Sequence, residues 1–377
     1  MSEGYFKRVT QYTPTRMWIN NPTLSETNKA IAAGAVSCTT NPTYCGKMLA
    51  IPEMRDIVLS LIGEGCRMYS DASDIAAFAQ RKSVKLLMDK FLPVYEAAGG
   101  VNGFVSLQGD PFKEDDPANI INEALKDLAL GKNFIAKIPT TEAGLEAIKY
   151  LCARNVPVIA TEIMSVAQCL SACEAYRQSG GGAPIYITCI AGIFDDCLKN
   201  QLATGEIAAD KDVLFRAGCT LMREEYRVMR TNGLPGRLLG GGARGLHHFT
   251  EFVGGECDIT INWKGTADAL IEGDTPVIER MDAPTPKELL DALMQVPTFA
   301  KAYLPGGLKP HSRAHRHQPA RFVWLRLRYV HTAPQSGGHC YNRIHGSAAA
   351  RPRRAGYQRQ LVGHDEFVLL AQWARAE

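Results

Sequence analysis

The chain lacks the features that define membrane-spanning and disulfide-rich secreted proteins. None of its 377 residues belong to an apolar run approaching the roughly 20 residues that a membrane helix needs. The N-terminal stretch MSEGYFKRVTQYTPTR has no apolar block of the kind found in secretory signals. The eleven cysteines are scattered, and no two show C-x-x-C spacing, so we expect free thiols and no metal site. These absences favour a cytoplasmic location.

The end of the chain lacks lysine. Residues 311–377 hold eleven arginines and three acidic residues, a charge of +8, which leaves −5 for residues 1–310 because the whole chain carries +3. Seven of the nine histidines also lie there. One interpretation is a basic arm that binds nucleic acid or another anionic surface. We favour another, a reading frame that shifts near residue 309, since arginine and histidine rise together while lysine disappears.

We therefore divide the chain into a catalytic domain, residues 1–309, and an atypical basic tail, residues 310–377, which is Arg/His-rich and either disordered or frame-shifted. No G-x-G-x-x-G follows the first apolar run, which argues against a doubly wound nucleotide-binding sheet. Short apolar runs instead alternate with helical patterns, and eight strands mostly separated by helices predict an α/β fold, a (β/α)8 TIM barrel. The predicted strands are 17–19, 35–38, 103–107, 134–138, 158–161, 185–189, 237–240 and 257–261.

Two helical segments bear on the barrel. Residues 141–153 carry apolar side chains at the spacing of one helix face, with Thr141 as a plausible N-cap. A long segment, residues 55–90 and beyond, separates the second and third strands and has Pro93 as a kink or break. We interpret that segment as an elaboration of the barrel.

Lys137 lies inside the predicted fourth strand, in the stretch NFIAKIPTTEAG. Lysine is rarely buried without a partner, because removing an ammonium group from water is costly. In such barrels the chemistry gathers at the C-terminal ends of the strands, and alternation allows Lys137 to point into the barrel mouth with Ile135. Burial there lowers the pKa of an amine, and a neutral amine can attack a ketone to form a Schiff base. The alternative is a stem packed along the strand with its amine reaching water.

Three stretches, CTTNPT at 38–43, AKIPTTEAGLEAIKYL at 136–151 and PVIATEIMSVAQCLSACEA at 157–175, resemble successive motifs of the transaldolase family, including its fructose-6-phosphate aldolase-like branch. Weaker similarity extends through IYITCIAGIFDD and GRLLGGGARG. The resemblance implies a (β/α)8 barrel of class I aldolases that uses no cofactor. It agrees with the strand pattern reached from the residues alone.

The resemblance also implies roles for individual residues. Lys137 matches the Schiff-base lysine and Thr161 the threonine that positions a catalytic water. Asn41 matches a residue that holds substrate hydroxyls, although Asn also favours a turn before proline. The remaining substrate-binding candidates are Thr39 in the same motif, Thr188 where the family has a serine, and Arg244.

Two carboxylates of the family pattern are missing. The position of its proton-transferring aspartate holds Asn20, and the position of the glutamate that supports the water in ordinary transaldolases holds Gln108, as in the aldolase-like branch. We keep both as catalytic candidates by position, although an amide cannot act as a general base. Glu162 and Asp110 are close in sequence, but strand alternation turns Glu162 away from Thr161 unless the strand has ended.

The predicted phosphate site is also altered. Family members usually bind a substrate phosphate with two arginines and a serine; here one arginine position holds Ile193 and the serine position holds Gly242, while Arg244 remains. Backbone N–H groups of the glycine run at 240–242 offer an alternative anion contact. The adjacent His247 and His248 have no carboxylate or cysteine partner close in sequence, so we interpret them as covering a helix end rather than forming a site.

We expect a transaldolase-like transferase that moves a dihydroxyacetone unit from a ketose or its phosphate to an aldehyde. The alternatives are an aldolase-like lyase that releases dihydroxyacetone, and a sugar-binding barrel without catalysis. The expected partners are a small sugar or sugar phosphate and further copies of the chain in a homo-oligomer. We expect no membrane or nucleic-acid partner.

Overall fold

The computed structural model describes residues 4–310, and the tail at 311–377 lies outside the described residues. Eight parallel strands form a closed barrel in which each strand pairs with the next and the eighth pairs with the first. The predicted TIM barrel is therefore confirmed. The strands are Arg16–Asn20 (β1), Ser37–Thr39 (β2), Val105–Leu107 (β3), Phe134–Pro139 (β4), Val158–Ile163 (β5), Ile185–Cys189 (β6), Arg237–Gly240 (β7) and Cys257–Ile261 (β8).

Helices surround the barrel over the described residues. Thr141 is the N-cap that was expected, because its hydroxyl accepts a hydrogen bond from the Gly144 N–H at 3.0 Å. The helices are Tyr5–Tyr12 (α1), Leu24–Ala33 (α2), Tyr44–Met48 (α3), Pro52–Met68 (α4), Ala72–Ala97 (α5), Pro117–Leu128 (α6), Glu142–Cys152 (α7), Val166–Ser179 (α8), Ala191–Ala203 (α9), Lys211–Leu214 (α10), Ala217–Thr231 (α11), His247–Thr250 (α12), Asp268–Glu272 (α13), Lys287–Met294 (α14) and Pro297–Tyr303 (α15).

The long insertion after β2 consists of two packed helices, α4 and α5. Helix α5 continues past Pro93, so the proline does not break it. The insertion packs on the outside of the barrel, with Met54 and Phe91 in the main apolar core. It is an elaboration of the barrel, as its sequence predicts. None of the helices in residues 4–310 combines the length and apolar character needed to cross a bilayer.

Six large apolar side chains fill the barrel interior toward the N-terminal ends of the strands. These residues are at most 5% exposed, and they pack into a cluster separate from the core between sheet and helices. Ring contact between Trp18 and Tyr186, with centroids 4.8 Å apart, closes the barrel floor. We call this set the lower layer: Trp18, Phe104, Ile135, Ile159, Tyr186 and Leu239.

Candidate active site

Above the lower layer, a cavity of about 850 Å³ opens at the C-terminal ends of the strands. This volume is suited to a small-molecule ligand. The structure brings all eight residues singled out from the sequence to the wall of this one cavity. They are Asn20, Thr39, Asn41, Gln108, Lys137, Thr161, Thr188 and Arg244.

Several of these residues follow a lower-layer residue by two positions on the same strand. Lys137 follows Ile135, and Thr161 follows Ile159, so strand alternation turns both members of each pair inward. We call the polar set the upper layer: Asn20, Thr39, Gln108, Lys137, Thr161 and Thr188. The alternation expected for Lys137 is confirmed.

The Lys137 amine is held inside the protein rather than reaching bulk water. The residue is 9% exposed, and its Nζ donates to Asn41 Oδ1 at 2.5 Å and to the Thr40 carbonyl at 3.3 Å. Burial lowers the pKa of this amine to about 8, against an opposing effect of the Glu162 and Glu114 carboxylates, while Lys47 lowers it further. About one amine in ten is therefore neutral at pH 7, far more than for a lysine in water.

The turn that carries Asn41 is braced on both sides. Its backbone N–H donates to Asn21 Oδ1 at 3.0 Å, and its carbonyl accepts from Gln80 Nε2 at 2.9 Å. These contacts fix the backbone, so the Asn41 side chain is directed at Lys137. Asn41 thus combines the turn role and the site position that its motif suggested.

Glu162 points into the cavity, contrary to the expectation from strand alternation. It has φ +66°, and the pairing of β5 with β6 is irregular between Ala160 and Ile163. A left-handed residue at a bulge reverses the alternation and allows Thr161 and Glu162 to face the same cavity. Such a backbone conformation costs about 1–3 kcal/mol for a residue other than glycine, and strain of this kind clusters at functional sites.

Gln108 links two carboxylates beside the lysine. Its Nε2 donates to Glu114 Oε1 at 2.8 Å and to Glu162 Oε1 at 3.2 Å. Glu114, which the sequence reasoning missed, lies in the loop after β3 and is 6% exposed. The position where ordinary transaldolases are expected to have a glutamate therefore holds an amide that hydrogen-bonds two carboxylates from elsewhere.

Asp110, the other acidic residue near the motif, is engaged away from the cavity. Its Oδ2 accepts from Ser73 Oγ at 2.8 Å, and its Oδ1 accepts from the Phe112 N–H at 2.9 Å. These bonds connect the loop after β3 to α5. Asp110 therefore holds the loop after β3 against α5, whereas Glu114 and Glu162 line the cavity.

Asn20 belongs to a polar chain across β1, β2 and β8. Its Oδ1 accepts from Thr39 Oγ1 at 3.0 Å, and its Nδ2 donates to Asn262 Oδ1 at 2.9 Å. Thr39 Oγ1 also lies 2.6 Å from Thr260 Oγ1. Because Thr39 uses its proton toward Asn20, it accepts the proton of Thr260. The Asn20 amide is thereby fixed in orientation at the cavity wall.

Thr188 offers the cavity an unused hydroxyl. The residue is 4% exposed, and within residues 4–310 its buried Oγ1 has no hydrogen-bond partner. An unsatisfied buried hydroxyl is unfavourable unless a ligand or water bonds to it. Thr188 is therefore placed to contact a ligand, in the position where its motif predicts one.

The side of the cavity near Arg244 carries little net positive charge. Arg244 Nε donates to Asp196 Oδ2 at 2.5 Å, forming an ion pair. Gly242 has φ +68°, and a Cβ at this position would lie 3.1 Å from Ile193 Cγ1. Ile193 and Gly242, which stand where the family has phosphate ligands, are thus neighbours. The apolar side chain of Ile193 lies against Gly242.

The histidine pair after this turn has partners that its local sequence does not show. His248 Nε2 lies 3.0 Å from Asp195 Oδ2, and the imidazole is 2% exposed. Cys219 also approaches both histidines. The local sequence lacks such partners, but α9 and α11 bring a carboxylate and a cysteine from distant parts of the chain.

The chain is thus a parallel (β/α)8 barrel with a buried lysine and carboxylates at the C-terminal ends of its strands, where such barrels place their active sites. The chain matches the model of the family described as Transaldolase/Fructose-6-phosphate aldolase over residues 17–316, which is more than half of its length. The chain belongs to this family. The resemblance inferred from the motifs is confirmed.

Curated relatives named Transaldolase are similar over shorter stretches. The one from Helicobacter pylori (strain Shi470) is 31% identical over 153 residues, 40% of this chain and 45% of the relative. The one from Neisseria meningitidis serogroup C (strain FAM18) is 27% identical over 215 residues, 50% of this chain and 57% of the relative. The chain thus spans about half the length of these relatives.

Proposed function

We propose that the protein is a transaldolase-type enzyme that transfers a dihydroxyacetone unit through a Schiff base on Lys137. The observation that carries the proposal is the buried Lys137 amine, with its pKa lowered to about 8, in a cavity large enough for a sugar. A lysine of this kind is a nucleophile toward a ketone at neutral pH. The family membership supports the same chemistry.

The reaction proceeds in balanced steps. Lys137 Nζ attacks C2 of a ketose, and water leaves as the iminium forms. The C3–C4 bond then breaks: its electrons move toward the iminium nitrogen, a base takes the C4 hydroxyl proton, and an aldehyde departs. The enamine carbon C3 attacks the acceptor aldehyde, whose oxygen takes the proton. Water finally hydrolyses the iminium and releases Lys137.

The proton carrier in this proposal is the carboxylate pair of Glu162 and Glu114. Both line the cavity, both act electrostatically on Lys137, and both accept from Gln108. Gln108 is then a positioning residue that orients the pair. Asn20, Thr39, Asn41 and Thr188 contact the substrate hydroxyls, and Thr161 positions water at the iminium.

The phosphate group of a substrate is less strongly recognised here than in family members with two arginines and a serine. The proposal rests on Ile193, Gly242 and the pairing of Arg244 with Asp196. Lys47 and Lys264 line other parts of the same cavity and supply positive charge there. We infer a preference for ketoses and aldehydes that carry fewer phosphates, with Arg244 still contacting an anionic group.

Product analysis with paired substrates tests the function. Fructose 6-phosphate and fructose are the donors, the four-carbon aldehydes erythrose 4-phosphate and erythrose are the acceptors, and Lys137→Met is the inactive control. Transfer appears as a new ketose formed only when donor and acceptor are both present. No conversion of any pair by folded protein would overturn the proposal. Full activity on the phosphates with none on the free sugars would overturn only the inferred phosphate preference.

The same assay separates the transferase from the aldolase-like lyase. Both share the enamine, and they differ in whether an aldehyde or a proton reaches it first. A lyase releases free dihydroxyacetone without an acceptor, whereas a transferase retains it on Lys137. A non-catalytic barrel would bind the sugar but would form neither a new ketose nor free dihydroxyacetone.

A further inference from the structure

Three metal-binding side chains converge beside the turn that carries Arg244, outside the substrate cavity. Cys219 lies in the first turn of α11, and His247 and His248 lie in α12. One ligand atom from each residue lies within 4.8 Å of the others. A thiolate and two imidazole nitrogens are ligands that zinc prefers, and these atoms move closer together to reach zinc bond lengths of about 2.0–2.3 Å.

The side chains of this cluster are largely shielded from solvent. Cys219 is 3% exposed and His248 is 2% exposed, while the partly buried His247 connects the cluster to the surface. The ring of Phe215 covers His247, with ring centroids 4.1 Å apart. An ion bound here would therefore be enclosed on the protein side and reachable from the surface side.

An orphaned nitrogen provides an independent indication of a missing ligand. His247 Nε2 is buried and has no hydrogen-bond partner among residues 4–310. A buried nitrogen without a partner is unfavourable, and a metal ion satisfies it. The ring is held over Gly245, where a Cβ would lie 2.8 Å from His247 Nδ1, so the glycine leaves room for this orientation.

The surroundings of His248 match the support that metal-binding histidines receive. Its Nε2 lies 3.0 Å from Asp195 Oδ2, and Asp195 Oδ1 accepts from the Gly218 N–H at 2.7 Å. A carboxylate that bonds a ligating histidine fixes the ring and raises its basicity. Because Gly218 precedes Cys219, this one carboxylate positions two members of the cluster.

We propose that Cys219, His247 and His248 bind a zinc-type divalent cation, with water at the fourth position. Binding replaces the thiol proton of Cys219, which is released to solvent as the sulfur–metal bond forms. The ion joins α11 to the segment 242–248. The ion takes the lone pair of His248 Nδ1, so it replaces the weak hydrogen bond that this nitrogen accepts from the Arg244 N–H at 3.4 Å.

Cobalt titration of the reduced, untagged full-length protein tests the site. Co²⁺ bound by a thiolate gives a ligand-to-metal charge-transfer band, and Zn²⁺ should bleach that band by displacing it. The tail supplies Cys340 and seven histidines as other ligands, so Cys340→Ser is the matched control. We expect about one equivalent of Co²⁺ per chain to produce the band in the parent and in Cys340→Ser.

Variants of the cluster test whether the bound ion lies at these three residues. Cys219→Ser should abolish the band, and His247→Gln should weaken Zn²⁺ affinity at least about tenfold. Zn²⁺ should raise the Tm of the parent but not of Cys219→Ser. If Cys219→Ser does not fold, His247→Gln is compared with the parent instead, because His247 is partly exposed and its substitution should disturb the fold less. A parent without the band, a band that survives Cys219→Ser, or unchanged affinity in folded His247→Gln would overturn the proposal.

Discussion

The two layers of the barrel interior lie on the same strands yet have opposite character. The lower layer is apolar and closes the barrel floor, while the upper layer is polar and lines the cavity. The change occurs within two residues, from Ile135 to Lys137 and from Ile159 to Thr161. The lower layer thus contributes burial energy, and the rigid frame it creates holds the upper layer in place.

The difference explains how the pKa of a lysine can be lowered without disrupting the fold. Lys137 stands on an apolar floor that removes water, which lowers the pKa of its amine. The Asn41 amide and the Thr40 carbonyl accept its hydrogen bonds. The fold therefore tolerates a desolvated amine because its polar contacts are satisfied. Substitutions in the two layers should separate stability from activity.

The largest expected effect is that of Lys137→Met, which removes the nucleophile and keeps the volume. We expect kcat/KM to fall at least about 10⁴-fold, on the scale seen when covalent nucleophiles are removed. The free energy of unfolding should be unchanged or higher, because a desolvated amine has been removed. Steady-state kinetics and urea unfolding measure the two quantities. Retained turnover would contradict the role of Lys137.

Glu162→Gln tests the carboxylates of the upper layer. We expect kcat to fall about 10²- to 10⁴-fold, because an amide cannot accept the C4 hydroxyl proton. Glu114→Gln should reduce kcat less if Glu162 is the group that takes the proton. Glu146→Gln, on the exposed face of α7, is the matched control and should leave kcat unchanged. Equal kcat in Glu162→Gln and the parent would remove Glu162 from the mechanism.

Ile135→Ala tests the lower layer on the same strand face as Lys137. Ile135 is fully buried, so the substitution should lower the free energy of unfolding by about 2–5 kcal/mol. The milder Ile135→Val should cost about 0.5–1.5 kcal/mol. Activity per folded molecule should stay within a few-fold of the parent in both variants. A large loss of kcat with little loss of stability would show that the layers are not separable.

The pH dependence of adduct formation tests the lysine environment. With a pKa of about 8, the neutral fraction of the Lys137 amine rises about tenfold per pH unit below pH 8 and levels off above it. The rate of borohydride-trapped adduct formation should follow this curve. A midpoint near the ordinary lysine value of 10.5 would contradict the burial argument.

The same pKa shift affects stability with a definite sign. The unfolded chain binds the Lys137 proton up to about pH 10.5 and the folded chain only up to about pH 8. The contribution of this residue to the free energy of unfolding therefore rises with pH between these values. The parent should gain stability relative to Lys137→Met across that window, as measured by urea unfolding.

The smallest expected effect concerns the anion side of the cavity. Ile193→Arg places a second guanidinium beside Arg244 and Gly242, so the ratio of kcat/KM for fructose 6-phosphate to that for fructose should rise about tenfold. Ile193→Met, which adds no charge, is the control. An unchanged ratio in Ile193→Arg would show that this side does not contact the phosphate.

The strands and the barrel were predictable because their signals are local. Apolar runs alternate with helical periodicity, and all eight predicted strands overlap the observed ones. Lys137 was predictable because a lysine inside an apolar run conflicts with its burial cost. Thr161 was singled out by its family motif alone, since a β-branched residue in a strand is otherwise common.

The other residues depend on tertiary structure that no local pattern shows. Glu162 enters the cavity through a left-handed backbone at a bulge, which breaks alternation. Glu114 comes from a loop, and only its contact with Gln108 reveals it. Cys219 and Asp195 reach His248 by helix packing around α11, since Gly218 allows close approach to α9. The clue available in the sequence was the pair of amides at Asn20 and Gln108, which left the proton carrier open.

Borohydride trapping tests the central claim most directly. The protein is incubated with dihydroxyacetone, reduced, digested and analysed by mass spectrometry, alongside Lys137→Met and Lys264→Met. Lys264 is an exposed lysine on the same cavity and serves as the matched control. We predict one adduct, on Lys137, in the parent and in Lys264→Met and none in Lys137→Met. No adduct on the folded parent, or an equal adduct on Lys137→Met, would contradict the account.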